Sequence, residues 1–209
     1  MAKIGLIDYG MGNLFSVQKA FGRLNEPLHI VNNKNSLKGC DALILPGVGA
    51  FDPAMINLQK TDLIPTIINW VNNGKPLLGI CLGLQLLFES SEEGEMKGLG
   101  VIKGHIHRLP KEENERIPHI GWSPIAKINE CPILENNNDS NWMYFVHSFS
   151  ARPQEQKNLV AITKYGNSNI SSIVWHKNTG ACQFHPEKSG LAGQRLLSNW
   201  ISWLKKSKF

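Results

Sequence analysis

The sequence predicts an α/β fold: an open, mostly parallel twisted sheet with helices on both faces and an antiparallel extension. Three observations carry that expectation. The first half of the chain alternates short apolar runs with helical patterns, which is the order of βαβ units. Two of those runs, Ala42 to Leu45 and Pro76 to Ile80, are apolar, which suits a mostly parallel sheet covered on both faces. After about residue 98 the pattern changes to short alternating segments, which suit antiparallel additions.

In chain order, residues 3–8 read as the first strand, followed by a helix over 14–25 and strands over 28–31 and 42–45. Helical periodicity spans 54–72. Pro76 to Ile80 is the next buried strand, and Leu82 to Phe88 continues as a helix. Further strands are expected over 99–103, 105–109, 143–147, 159–164, 170–176 and 180–184. A closing amphipathic helix over 190–204 sets Leu196, Leu197, Trp200, Ile201 and Leu204 on one stripe. The asparagines within Glu135 to Asn141 read as an exposed turn.

A length of 209 residues suits one domain over 1–209, and 42% hydrophobic content is enough for a full core. No apolar run approaches the roughly 18 residues of a membrane span. The opening residues pass directly into a strand pattern without a leader, so a cytoplasmic protein is expected. The net charge is +5, but the basic residues are scattered except for Lys205, Lys206 and Lys208, and no basic and aromatic interleaving suggests nucleic-acid binding. Cysteines stand at 40, 81, 131 and 182 with neither C-x-x-C nor zinc spacing, so free thiols are expected. His105 and His107 alternate in a segment that lacks acidic or thiolate companions, and no metal is expected. No cofactor is expected either, since Gly10-Met11-Gly12 completes neither G-x-G-x-x-G nor a P-loop.

The chemistry concentrates in three motifs. Gly79-Ile80-Cys81-Leu82-Gly83 places a cysteine at a turn between strand and helix, with glycines two residues to either side. This is the logic of the G-x-S-x-G elbow with sulfur in place of oxygen. A cysteine alone is as readily a small buried apolar side chain; the elbow argues for a displayed nucleophile, with the helix start favouring thiolate. Gly-Ala-Cys-Gln-Phe-His-Pro-Glu over 180–187 puts His185 and Glu187 just beyond another apolar strand. Two-residue spacing in an extended segment would point both side chains one way, letting Glu187 fix the tautomer of a His185 that faces the thiol. Pro46-Gly47-Val48-Gly49 follows the strand at 42–45. Its backbone N–H groups at Val48 and Gly49, with that of Leu82, form a candidate oxyanion hole.

With these motifs together the chain resembles the class I (triad) glutamine amidotransferases, whose fold is flavodoxin-like. The resemblance covers nearly the whole length. It rests on Ile7 to Leu14, Pro46 to Phe51, Gly79 to Gln85, Ile117 to Trp122, Tyr144 to Phe149 and Gln183 to Ser189. The Cys81 and His-Pro-Glu motifs mark the superfamily, while Tyr9 to Asn13 and Pro118 to Trp122 point to its histidine-pathway branch. The resemblance implies that Cys81 attacks the side-chain amide of glutamine, His185 moves the proton, ammonia leaves, and water resolves a glutamyl thioester. It also implies that Gly49, Gln85, Ser148 and Phe149 bind substrate. By the same resemblance a (βα)8-barrel cyclase receives the ammonia, with Asn13, Trp122 and Lys188 at the interface. Two features depart from the branch pattern: Ser123 stands where asparagine is common, and 167–178 matches poorly. A related synthase that modifies sugars for surface polysaccharides, and a non-catalytic interaction subunit, therefore stay open as alternatives.

Overall fold

The computed structural model describes residues 2–135, 141–207 and 209. Its first half runs β1 (Ile4–Ile7), α1 (Leu14–Gly22), β2 (Leu28–Val31), β3 (Ala42–Leu45), α2 (Phe51–Lys60), α3 (Ile64–Asn72), β4 (Leu77–Ile80) and α4 (Leu82–Leu86). The second half runs β5 (Ser90–Ser91), β6 (Gly104–Arg108), β7 (His119–Lys127), β8 (Trp142–His147), β9 (Phe149–Pro153), β10 (Leu159–Tyr165), β11 (Ser168–His176), β12 (Thr179–Cys182) and α5 (Gly190–Lys206). No described helix is long and apolar enough to cross a membrane.

The main sheet has the order β2-β1-β3-β4-β12-β11-β10-β7-β8. From β2 to β12 the neighbours are parallel, in the order of a flavodoxin-like doubly wound sheet. From β12 to β8 they are antiparallel. The last strand in sequence thus sits beside β4, pairing Cys182 with Ile80, while β3 pairs Leu45 with Gly79. This insertion places the ends of β3, β4 and β12 side by side. Loops at the carboxyl ends of such strands form the natural crevice of an open α/β sheet.

The central strands are wholly buried because each face is covered. On one side Ile4, Leu6, Leu78 and Ile80 pack with Phe21 of α1 and Leu196, Leu197, Trp200 and Ile201 of α5. On the other, Ile7, Leu43, Leu45 and Leu77 pack with Phe51, Met55 and Leu58 of α2, Ile67 and Trp70 of α3, and Leu84 and Leu86 of α4. A small sheet, β5-β6-β9, extends this second side and contributes Ile106 and Ala151.

Several elements differ from expectation. The helical pattern over 54–72 divides into α2, which starts earlier at Phe51, and α3: between them Asp62 adopts a φ of 55°, and the Thr61 hydroxyl donates to Leu58 O and accepts from the Leu63 N–H. Residues 99–103 form no strand. The N–H groups of Leu99 and Ile102 instead bond the carbonyls of Leu86 and Leu87 at the end of α4. The helix expected over 14–25 stops at Gly22, and β12 ends at Cys182. β5, β7 and β9 are additional strands. Residues 136–140 of the expected asparagine-rich turn, and Lys208 of the basic tail, lie outside the described residues.

Trp200 is wholly buried and meets Phe21 edge to face at 6.1 Å, so it joins α5 to α1 across one face of the sheet. Trp200→Ala should lower stability by about 3–5 kcal/mol, read as a decreased urea midpoint.

Candidate active site

Ile80 ends β4 and Leu82 begins α4, so Cys81 turns the chain within a single residue. It does so with φ 55° and ψ −110°, a left-handed backbone that an L side chain adopts only when its surroundings enforce it. The flanking glycines permit the turn. A Cβ on Gly83 would stand 1.8 Å from the Leu45 carbonyl oxygen, and one on Gly79 would stand 2.9 Å from the Ala181 side chain. The Cys81 N–H donates to Cys182 O at 2.8 Å, tying the elbow to β12. Because α4 has only five residues, little macrodipole is available to the sulfur.

His185 reaches the same place from the end of β12. Its N–H donates to Tyr144 O on β8 at 3.0 Å, and the Ser189 hydroxyl both donates to His185 O and accepts from the Tyr144 N–H. Glu187 is not in extended chain as expected. It lies in a one-turn 3-10 helix, Pro186–Lys188, that folds its carboxylate back onto the ring. Nδ1 of His185 and Oε1 of Glu187 are 2.7 Å apart, with side chains only 3% and 2% exposed. Nε2 of His185 is buried without a hydrogen-bond partner among the described residues. Burial disfavours the charged ring, but the pull of the Cys81 sulfur and the Glu187 carboxylate outweighs it and holds His185 up at about 10. Burial pushes the Cys40, Cys131 and Cys182 thiols up, so they stay protonated at neutral pH.

The loop after β3 is clamped from β1. Buried Tyr9 donates its hydroxyl to Pro46 O at 2.8 Å, and a Cβ on Gly47 would stand 2.4 Å from that hydroxyl oxygen. Gly49 has a φ of +106° and lies against Met11. The Leu82 N–H, a predicted oxyanion donor, is directed at Gly47 O through a long 3.4 Å bond.

A cavity of about 260 Å³ brings together Cys81, His185, Val48, Gly49, Leu82, Gln85, Ser148 and Phe149. It also contains residues the sequence reading did not select: Glu93, Pro118, Val146 and His147. Glu93 accepts the Phe51 N–H at the start of α2. Gln183 was missed as well: it falls inside the strand expected over 180–184, whereas β12 ends at Cys182 and the fold brings Gln183 to the sulfur. Its Nε2 donates to Cys81 Sγ at 3.9 Å, and its Oε1 accepts from Gln85 Nε2 at 3.2 Å. His147 is nearly buried, and burial foremost pushes it down to about 3, so it is neutral.

Asn13 is exposed and caps α1 through its side chain to the Ser16 N–H; Lys188 is exposed beside Glu187. Trp122 is 51% exposed on β7, near exposed Ile120, Trp142 and Val146 of the β7–β8 pair. His107, expected to lack an acidic companion, meets Glu92 at 2.8 Å, because β5 pairs with β6. Among the described residues no group of three or more His, Cys, Asp or Glu is arranged to hold a metal ion.

A thiol on a strained elbow, with a buried imidazole and carboxylate beside it and backbone amides across a cavity, can perform acyl transfer through a thioester. That places the chain, first, among cysteine acyl-transfer proteins on a doubly wound sheet. More particularly, it belongs to the class-I glutamine amidotransferase family, whose model matches residues 5–203. It is 74% identical to the imidazole glycerol phosphate synthase subunit HisH of Prochlorococcus marinus (strain NATL2A), over the full length of both chains. It is 52% identical to the subunit of that name from Synechococcus sp. (strain CC9605), covering 97% of this chain and 95% of that one. A crystal structure of a glutamine amidotransferase (TM-score 0.75, 20% identity, 97% and 98% of the two chains) shares the fold. So does a chain in the structure of PurLQS from Thermotoga maritima (TM-score 0.75, 17% identity, 97% and 99% of the two chains).

Both histidines make stability depend on pH, with opposite signs. His185 keeps its proton in the fold up to about pH 10, whereas an unfolded histidine loses it near 6.5. The native state holds the extra proton in that window, so stability falls as pH rises through it. His147 stays neutral down to about pH 3, so below about 6.5 the unfolded state binds the extra proton and stability falls as pH drops. Urea titrations across pH should show His185→Asn losing the alkaline slope and His147→Asn losing the acid slope. Unchanged slopes would contradict these assignments. Gly83→Ala should abolish the fold of the elbow, giving a protein destabilised by more than about 3 kcal/mol.

Proposed function

We propose that this chain is a glutaminase subunit that supplies ammonia to imidazole glycerol phosphate synthesis. The observation that carries the reading is the buried His185–Glu187 pair beside an elbow cysteine, in a chain 74% identical end to end to a subunit so named. Cys81 Sγ attacks the carboxamide carbon of glutamine, and the tetrahedral oxyanion is held by N–H groups of Val48, Gly49 and Leu82. His185, its ring oriented by Glu187, protonates the leaving nitrogen, so ammonia departs and a glutamyl thioester remains. Water, deprotonated by His185, attacks the thioester carbonyl; glutamate leaves and Sγ regains its resting state. Gly49, Gln85, Ser148 and the Phe149 backbone hold the substrate.

The Leu82 N–H must leave Gly47 O before it can serve the oxyanion, so the loop over 46–49 has to shift for full activity. A liganded partner provides that shift. The reading takes the partner to be a (βα)8-barrel cyclase that receives ammonia, in a heterodimer whose contacts include Asn13, Trp122 and Lys188. The exposed apolar side chains of Ile120, Trp122, Trp142 and Val146 support this, because a patch of this kind on one strand pair suits a protein surface. The chain acts as a single domain over 1–209, in the cytoplasm, without cofactor, metal, nucleic acid or membrane.

Cys81→Ala should lower glutamine hydrolysis in the presence of the partner by about 10⁴-fold or more; glutamate release at the original rate would sink the proposal. An electrophilic glutamine analogue should label Cys81 alone among the four cysteines, and no labelling with partner present would favour a non-catalytic subunit. Expression should restore growth of a histidine auxotroph lacking this subunit. Failure despite good expression would favour the sugar-modifying synthase.

A further inference from the structure

We propose that His147 and His119 are positioning residues for glutamine hydrolysis, forming a hydrogen-bond relay of fixed direction from Ser123 on β7 to the Phe149 carbonyl in the active-site cavity. The proposal rests on the glutaminase reading above.

The direction follows from the end of the chain, because a carbonyl can only accept. The Phe149 oxygen lies 2.8 Å from His147 Nδ1, so that nitrogen carries the hydrogen. His147 is neutral, which leaves Nε2 as an acceptor. Its partner at 3.2 Å is His119 Nδ1, which must then be an N–H. Neutral His119 accepts at Nε2, and the Ser123 hydroxyl at 2.9 Å supplies the hydrogen. The reverse order would set the Nδ1 lone pair of His147 against the lone pairs of the Phe149 oxygen.

The surroundings enforce one arrangement. Both rings are nearly buried. His119 stacks on Phe145 at 5.0 Å and meets the Tyr165 ring at 5.4 Å. Phe145 also packs on Phe184, the residue before His185. The charged groups that face the pair are Glu115 toward His119 and His185 toward His147: burial outweighs the pull of Glu115 on His119, and at His147 the charge of His185 acts with burial to keep the ring neutral.

The relay matters at its inner end. The Phe149 oxygen also accepts from Gln85 Nε2 at 3.2 Å, whose other hydrogen goes to Gln183 Oε1 at 3.2 Å. Gln183 therefore turns its own N–H groups toward the Cys81 sulfur, which accepts at 3.9 Å. Neither amide can flip without opposing two acceptors, so the Phe149 carbonyl sets how both glutamines face the sulfur. His147 holds that carbonyl in place. A buried link of this kind leaves unmatched polar atoms when it is cut.

The test begins with imidazole ¹⁵N spectra of the full chain, which report tautomers without substrate. His147 should be the neutral Nδ1–H form from about pH 5 to about pH 8, and His119 should be the neutral Nδ1–H form at pH 7. An Nε2–H or charged ring for either at pH 7 would overturn the proposal. With the partner present, His147→Leu should lower kcat for glutamine by about tenfold with little change in KM. His147→Asn, which keeps a donor nitrogen toward Phe149, should recover most of that loss. A kcat for His147→Leu within about twofold of the original, or an Asn variant no better than Leu, would also overturn it. Absence of turnover by the unsubstituted complex counts against the glutaminase reading instead, and the tautomers judge the relay separately.

Discussion

Leu45 and Gly83 meet through backbone atoms, with no room for a side chain between them, and much of the molecule is arranged to keep them that close. The contact presses the start of α4 onto the end of β3. It thereby holds the elbow beside the loop over 46–49, and sulfur and backbone amides come to share one cavity. Tyr9 secures that loop from the far side through Pro46. The insertion of β12 next to β4 adds the third component, because it delivers His185 to the mouth of the same strand ends. The elbow strain at Cys81 is thus sustained by parallel pairing on both sides and by helices on both faces, not by local sequence alone.

Charge is confined as tightly as geometry. Three of the four cysteines are held protonated by burial, Tyr9 is pushed up by burial and by the Cys81 sulfur, and His119 and His147 are kept neutral. Against that background His185 alone among the buried histidines is drawn toward its cationic form. Reactivity at one sulfur therefore does not depend on shielding the others from reagents. At Cys40 and Cys131 burial outweighs the nearby lysines, Lys3 and Lys75 at the first and Lys127 at the second, and at Cys182 the facing Glu187 and Cys81 act with burial against a thiolate.

The parallel half of the fold was legible because its inner strands β1, β3 and β4 are buried on both faces and written as apolar runs; β2 and β3 fall at the expected residues, although β2 is a half-exposed outer strand that carries His29. The antiparallel half was read less well, for physical reasons. β7 contains Gly121 and Pro124 and is largely exposed, so it is held by pairing with β8 and β10 rather than by a burial period of its own. Val101 and Ile102 resemble a strand, yet this segment anchors the end of α4 and seals the core there. Of the site, Cys81 and the His185–Glu187 pair could be read locally, since a turn and a two-residue spacing are short-range signals. His119, His147 and Gln183 could not. Their significance lies in contacts between strands far apart in the chain, and by alternation alone a histidine in a strand is just another polar position.

β8 is the outer strand of the sheet, a position whose unpaired backbone ordinarily invites another chain to add itself. Here the N–H and carbonyl of Tyr144 point outward and are already taken by Ser189 and His185. The segment that carries the histidine is therefore also a cover over the sheet margin. Loosening it would do more than misplace a side chain: it would expose a ready template for self-association, so solubility and reactivity in this protein share the same few hydrogen bonds.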